Sequence, residues 1–230
     1  MCVDVRLSIR LSWRLKPSDI GSPVRDLLQT LTYWLWAFGG SLIVISLIGQ
    51  RYIREIRGWV GERRVRRVLQ QQAYQHLGGF YATDKAGMPT EIDHIVRVPG
   101  GLVVIETKNI LGAVYGTGSD AKWTVCRGPF RKRIQNPIRQ NYRHVATLRE
   151  IYPDVYIVGL VCFQAGKFPK GRPAGVTDLR SLPDLLAALN NVEKQVEADL
   201  AWDDLNVRAE RQGRAERIAH RKSLKERFAR

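Results

Sequence analysis

Between Leu27 and Gln50 the chain carries no charged residue, and most of that stretch reads LLQTLTYWLWAFGGSLIVISLI. At about 1.5 Å of rise per residue, a helix of this length crosses a hydrocarbon core of about 30 Å. The run is apolar around its whole circumference rather than along one stripe, which separates it from a helix lying on a soluble core. Gly39-Gly40 would weaken a helix in water but is ordinary in lipid, and Tyr33, Trp34 and Trp36 stand toward its amino end, where an interfacial aromatic belt belongs. A cleaved secretion signal has an apolar region of about 7–15 residues followed by a small-residue site, and the run is longer and lacks that site. We read one transmembrane helix over 27–50, which leaves a leader over 1–26, a soluble domain over 51–190 and a basic, helical tail over 191–230.

Charge sets the expected partners. The formal net charge is +15 with a pI near 10.2, so a polyanion is expected, and nucleic acid and anionic lipid both qualify. Arg51, Arg54, Arg57, Arg63, Arg64, Arg66 and Arg67 follow the apolar run, against Arg10, Arg14, Lys16 and Arg25 before it. By the positive-inside rule this makes a single-pass protein of the cytoplasmic membrane with its soluble domain facing the cytoplasm. Residues 1–26 alternate weakly and break at Pro17 and Gly21-Ser22-Pro23, which suits a short strand-like arm or a tail. Cys2, Cys126 and Cys162 have no C-x-x-C spacing, so neither a zinc ribbon nor a disulfide framework is indicated.

Patterning of the rest predicts a helix from Arg51 to His76, a strand near 80–83 after Gly78-Gly79, and strands at 91–98, 102–108, 112–116 and 122–126. The basic segment Arg127-Gly128-Pro129-Phe130-Arg131-Lys132-Arg133 reads as a loop or turn able to touch a phosphate backbone. Asn136 followed by Pro137 caps a helix to about Tyr152, Val155 to Phe163 reads as a central strand, and Ser181 caps a helix to about Asn190. This order gives an α+β fold, a three-layer core of a mixed sheet flanked by helices.

The chemistry concentrates in EIDHIVRVPGGLVVIETK, residues 91–108, two apolar runs joined at Pro99-Gly100-Gly101. Each run brings a carboxylate to the sheet, Asp93 and Glu106, and strand alternation puts Glu106 and Lys108 on one face with Thr107 on the other. Phosphodiester hydrolysis uses an oxygen-liganded Mg²⁺ or Mn²⁺ held by a few carboxylates, with a nearby ammonium to orient water or to offset developing charge. Asp93, then Glu106-x-Lys108, fits that division of labour. Solvated strand ends or a surface ion pair would use the same residues, but Leu102-Val103-Val104-Ile105 is apolar at successive positions, as in a strand covered on both faces.

Further residues follow in order: Gly61-Glu62 in a basic helical segment, then EIDHI and IETKN, Gly112-Ala113-Val114, Trp123, and Asn136-Pro137-Ile138-Arg139-Gln140 with His144 one turn on. Over about 57–165 the chain resembles the nuclease-related domain (NERD) family, itself similar to PD-(D/E)xK nucleases of restriction-endonuclease-like fold. The resemblance implies that Glu62 completes the acidic set as a metal ligand beside Asp93 and Glu106, that Glu106 and Lys108 are the (D/E)xK pair, and that Gln140 is the helix glutamine beside the site. Ile92 stands where the motif has its proline. Other readings remain: Glu62 as a first-turn carboxylate favoured by a helix dipole, and Gln140 and His144 as a solvated stripe. His94 should face away from Asp93, and Trp123 should pack rather than stack on a base.

The expected function is a membrane-anchored, Mg²⁺- or Mn²⁺-dependent nuclease acting on DNA. The alternative is a non-catalytic, membrane-tethered module that binds nucleic acid or protein on a nuclease-like scaffold.

Overall fold

The computed structural model describes residues 21–84, 86–190 and 192–212; most of the expected leader and the end of the basic tail lie outside them. The chain forms two compact units, residues 1–54 and 55–230.

In the first unit the helix begins earlier than expected. α1 runs Ser22–Gln71, so Leu27 does not start it; Pro23, at its first turn, lacks only an N–H that would have no helical acceptor there. The stretch Val24–Gly49 has a mean hydropathy of 1.7, none of it is buried, and it is long and apolar enough to cross a membrane.

In the second unit α1 stops at Gln71 instead of reaching His76. Ala73 takes a left-handed conformation (φ 56°), and Tyr74 N–H donates back to the Leu69 carbonyl at 3.0 Å, closing the helix end. The strand therefore opens at His76, and Gly78-Gly79 belongs to it: β1 (His76–Thr83), β2 (Pro89–Val98) and β3 (Gly101–Lys108) form an antiparallel meander. Asp84 shapes the β1–β2 connection, its side chain accepting from the Ala86 and Met88 N–H groups. β7 (Ile157–Phe163) pairs parallel with β3, and β9 (Val176–Asp178) parallel with β7, giving a mixed sheet in the order β1-β2-β3-β7-β9.

Helices cover both faces of this sheet. α2 (Pro137–Ile151) and α4 (Val196–Arg211) pack on one through Val145, Leu148, Ala201 and Leu205 against Ile92, Leu102 and Val104. The carboxyl part of α1 and α3 (Leu182–Asn190) pack on the other through Val65, Leu69, Leu182 and Leu186 against Val96, Val103 and Ile105. The run Gly101–Glu106 is buried throughout, as its unbroken apolar reading requires. Asn136 caps α2 as expected, accepting from Ile138 and Arg139 N–H, with Pro137 in the first turn.

A second sheet corrects the expectation of one. β4 (Gly112–Tyr115) and β5 (Lys122–Arg127) leave the main sheet and join β6 (Phe130–Gln135) and β8 (Gly166–Lys167) in the order β6-β5-β4-β8. The basic segment is thus no loop: its second half is an edge strand paired with β5 across a tight turn at Gly128-Pro129, where Gly128 has φ 57°. The signal was hidden because β6 presents no apolar face; its residues are exposed except for partly buried Ile134. The sheet is fixed to the core by Trp123, which is fully buried, stacks on Phe163 with ring centroids 6.1 Å apart, and donates through Nε1 to the Thr117 carbonyl. Its packing role is as expected.

Candidate active site

Asp93 stands where β2 parts from its neighbours. The β2–β3 ladder ends at His94↔Ile105, and the β1–β2 ladder skips the step between Gly78↔His94 and Phe80↔Ile92, where Gly79 (φ 65°) lies opposite Asp93. Thr107 N–H, freed from strand pairing with β2, donates to Asp93 Oδ2 at 2.7 Å. The carboxylate is therefore tied to the end of β3, next to Glu106.

Glu106 and Lys108 share a face, as alternation predicts. Lys108 Nζ donates to Glu106 Oε1 at 2.5 Å and to Gln140 Oε1 at 3.0 Å. Gln140 reaches the lysine because Asn141, the next residue of α2, pins the helix to the sheet: its Nδ2 donates to the Val104 and Leu160 carbonyls at 3.1 and 2.9 Å. Gly159, across from Val104 in the β3–β7 register, leaves room for that amide, since a Cβ there would lie 3.1 Å from Asn141 Nδ2.

Glu62 comes from α1, well inside the helix, so the first-turn reading of this residue falls. Its approach depends on Gly61: a Cβ there would lie 3.1 Å from Asn109 Cβ, 3.2 Å from Gln164 Nε2 and 3.4 Å from Thr107 Cγ2. Gln164 Nε2 donates to the Gly61 carbonyl, and Gln164 N–H to that of Lys108 at 3.0 Å, so one residue joins the helix to the end of β3.

Electrostatics follow from this crowding. Burial and the Glu106 charge push the Asp93 carboxyl well above its usual range, with Glu62 adding to the effect, against the Thr107 N–H and Lys108. Glu106 is buried too, yet it is held below the usual carboxylate range because His144 and Lys108 contact it directly. Of two adjacent buried carboxylates, the one against the Lys108 ammonium is drawn down and the other is driven up. Burial and Glu91 raise Glu62, with Glu106 adding to the effect while Arg66 and Lys108 oppose it.

Two contributors were not assigned in the sequence reading. His144 is buried, its Nε2 3.2 Å from Glu106 Oε2 and its Nδ1 3.0 Å from Thr90 Oγ1; the solvated-stripe reading is therefore wrong for it. Glu91 bears on Glu62 through its charge. The spacing of Gln140 and His144 at i and i+4 was a usable signal for the first, whereas nothing local marks Glu91. His94 is buried, its ring 6.4 Å from that of His76, and is pushed to about 3 by burial, with His76 and Arg66 adding to the effect.

Asp93, Glu106, Lys108 and Gln140 are thus brought together, with Glu62 close enough to act on three of them through its charge or theirs. Among the described residues no three His, Cys, Asp or Glu side chains are gathered as a ready metal cage; Lys108 Nζ already sits against Glu106 Oε1. The carboxylate donors are nonetheless all oxygen, the ligand type that a hard divalent cation takes.

Residues 57–164 match the sequence model of the family described as NERD, nuclease-related domain. An uncharacterized protein of Bacillus anthracis is 36% identical over 112 residues, 46% of this chain and 52% of that protein. The match thus spans about half the length of that relative. No solved structure matches the chain.

Proposed function

Since residues 57–164 are a nuclease-related domain, we propose that this chain hydrolyses phosphodiester bonds in DNA at the end of β3, on a core of restriction-endonuclease-like type. The observation that carries the reading is the convergence of Asp93, Glu106, Lys108 and Gln140 through the Thr107–Asp93, Lys108–Glu106 and Lys108–Gln140 hydrogen bonds, with Glu62 presented by α1. Asp93, Glu106 and Glu62 would hold a Mg²⁺ or Mn²⁺ ion, which when bound neutralises phosphate charge and acidifies water. Lys108 then turns its ammonium from Glu106 toward the attacking water or a non-bridging phosphate oxygen, where it offsets developing negative charge. Gln140 keeps Nζ over the acidic cluster while it does so, and His144 holds Glu106 in place through its free oxygen.

The membrane is the proposed location. Val24–Gly49 inserts as a single span, and the arginines from Arg51 to Arg67 keep the nuclease-related domain on the cytoplasmic side, where DNA is accessible.

The test is cleavage of plasmid, linear and single-stranded DNA, with RNA in parallel, by the detergent-purified full chain. Hydrolysis should require Mg²⁺ or Mn²⁺, stop with chelator, and vanish in Asp93→Asn and Glu106→Gln; the melting temperature should be kept or raised in Asp93→Asn, whose carboxyl is held above its usual range, and lowered in Glu106→Gln, which leaves Lys108 without its buried anion. Full activity in either variant sinks the site. One observation favours the competing reading of a non-cleaving nucleic-acid-binding module: Lys108 closes on Glu106, and among the described residues no cage of three ligands stands ready. Tight DNA binding with no hydrolysis under any divalent cation would establish that reading instead.

A further inference from the structure

The outward face of α1 changes character along its length. Val65 and Leu69 turn the helix toward the sheet, and the helical period puts Ile56, Trp59, Arg63 and Arg67 on the opposite side. Ile56 and Trp59 are 54% and 56% exposed, and Arg63, Arg64 and Arg67 are exposed with them. The Arg63 guanidinium stands 4.9 Å from the centre of the Trp59 ring. Trp59, Val60, Arg63, Arg64 and Arg67 line a recess of about 230 Å³. None of these three arginines makes an ion pair with any described residue. Arg66 differs from them: it lies against β1, where a Cβ on Gly78 would stand 3.0 Å from its guanidinium.

A basic helix face is ordinarily a solvated one, and a single exposed tryptophan calls for no explanation. Together, and in this order, they match one environment. Moving away from Gly49 the outward face gives first Ile56 and Trp59, then Arg63, Arg64 and Arg67. A bilayer gives first the acyl boundary, where indoles settle, and then the phosphate layer, to which long cationic side chains reach. Nucleic acid also offers phosphate to arginine, but it has no counterpart for Ile56 and gives no reason for the order. Trp59 is ten residues beyond Gly49, where the apolar run ends. Ten residues cover at most about 36 Å even when fully extended. The face is therefore tethered within reach of headgroups, whatever the angle at which the chain leaves the span.

We infer that the Trp59 recess holds the phosphate of an anionic phospholipid headgroup, with Arg63, Arg64 and Arg67 donating to its oxygens and the indole and Ile56 resting at the acyl boundary. Guanidinium groups suit this task because their planar forks donate to phosphate in pairs. Glu62 directly precedes Arg63, so one turn of α1 serves the candidate site with one side and lipid with the other. The inference rests on the reading of Val24–Gly49 as a membrane span.

The experiment uses the full chain in nanodiscs of phosphatidylcholine and phosphatidylglycerol at three to one, with bromine on the acyl chains of one lipid or the other. Tryptophan fluorescence is quenched by nearby bromine, and the difference between wild type and Trp59→Phe isolates the Trp59 contribution. That contribution should be quenched more by brominated phosphatidylglycerol than by brominated phosphatidylcholine. Each arginine near an anionic surface contributes about fivefold to the preference, so Arg63→Ala/Arg64→Ala/Arg67→Ala should bring the two quenchings to about the same value. Arg63→Lys/Arg64→Lys/Arg67→Lys, which keeps the charge, should retain a preference and guards against misfolding of the alanine variant. A Trp59 contribution untouched by either lipid, or quenched equally by both in the wild type, overturns the inference. So does an unchanged preference in the triple-alanine variant with wild-type melting. Duplex DNA binding in chelator that needs the three arginines, with Trp59 unquenched, would give the face to nucleic acid instead. Failure of the span reading is distinguishable, because alkaline washing would then release wild type and triple-alanine variant alike from the membrane fraction.

Discussion

Lys108 and its neighbours divide one task, and substitution should separate them. Lys108→Ala should abolish or greatly reduce turnover while leaving divalent-cation affinity, read by calorimetry, unchanged or improved, because the ammonium that competes for Glu106 Oε1 is gone. Weakened cation binding would make the lysine a structural partner of the carboxylates. His94 offers a second residue-scale test through pH. Its ordinary value is 6.5 and burial holds it near 3 in the folded chain, so between those values the unfolded chain binds the extra proton. The stability it confers is complete above about pH 6.5 and is lost as pH falls toward 3, with a slope of up to about 1.4 kcal/mol per pH unit. His94→Gln should flatten denaturant-measured stability over pH 6.5 to 4.5 relative to wild type; identical slopes would contradict a neutral buried imidazole. Glu106 and Lys108 were legible in the sequence because strand alternation fixes their relation, and Asp93 because the turn at Pro99-Gly100-Gly101 folds its strand back on theirs. The contacts of His144 with Glu106 and Thr90 were not, since they depend on where α2 lands on the sheet.

Among the elements, α1 lies close against the end of β3, and Gly61 sets the distance. In an ordinary helix interior Gly→Ala is stabilising by about 1 kcal/mol. Here the new methyl would stand 3.1 Å from Asn109 Cβ and 3.2 Å from Gln164 Nε2, so the helix must lift from the end of β3 by a few tenths of an ångström. The two effects oppose each other: Gly61→Ala should change the melting temperature little yet reduce cleavage, and Gly61→Val should lose both. Wild-type activity in Gly61→Val would show that the position of Glu62 is unimportant. Most elements were legible: the meander, the Asn136 cap and the Ser181 helix follow from alternation and end signals. β6 was not, because an exposed edge strand carries no apolar face to reveal its period, and its basic composition imitates a loop. The second sheet escaped for the same reason, as its membership is decided by the pairing of short strands with distant partners such as β8.

For the whole molecule, the exposed apolar run Val24–Gly49 predicts that the full chain stays in the membrane fraction after high-salt and alkaline washes, and that a reporter fused after Arg230 reads as cytoplasmic. Release by the washes would mean that the run does not span, and an external reporter signal would reverse the orientation. The connectivity of the site also bears on how the domain folds. Asp93 meets Thr107 across 14 residues, Lys108 meets Gln140 across 32, Thr90 meets His144 across 54, and Gln164 meets Gly61 across 103. Closing a flexible loop costs roughly 0.6 kcal/mol more for each doubling of its length, so the innermost contact is the easiest to form first. In a refolding chain the β2–β3 hairpin should become protected from hydrogen exchange before α2 docks, and the α1 clamp should close last. The two central carboxylates would then be neighbours before either the lysine restraint or the third acid arrives, and the site would be assembled from its centre outward.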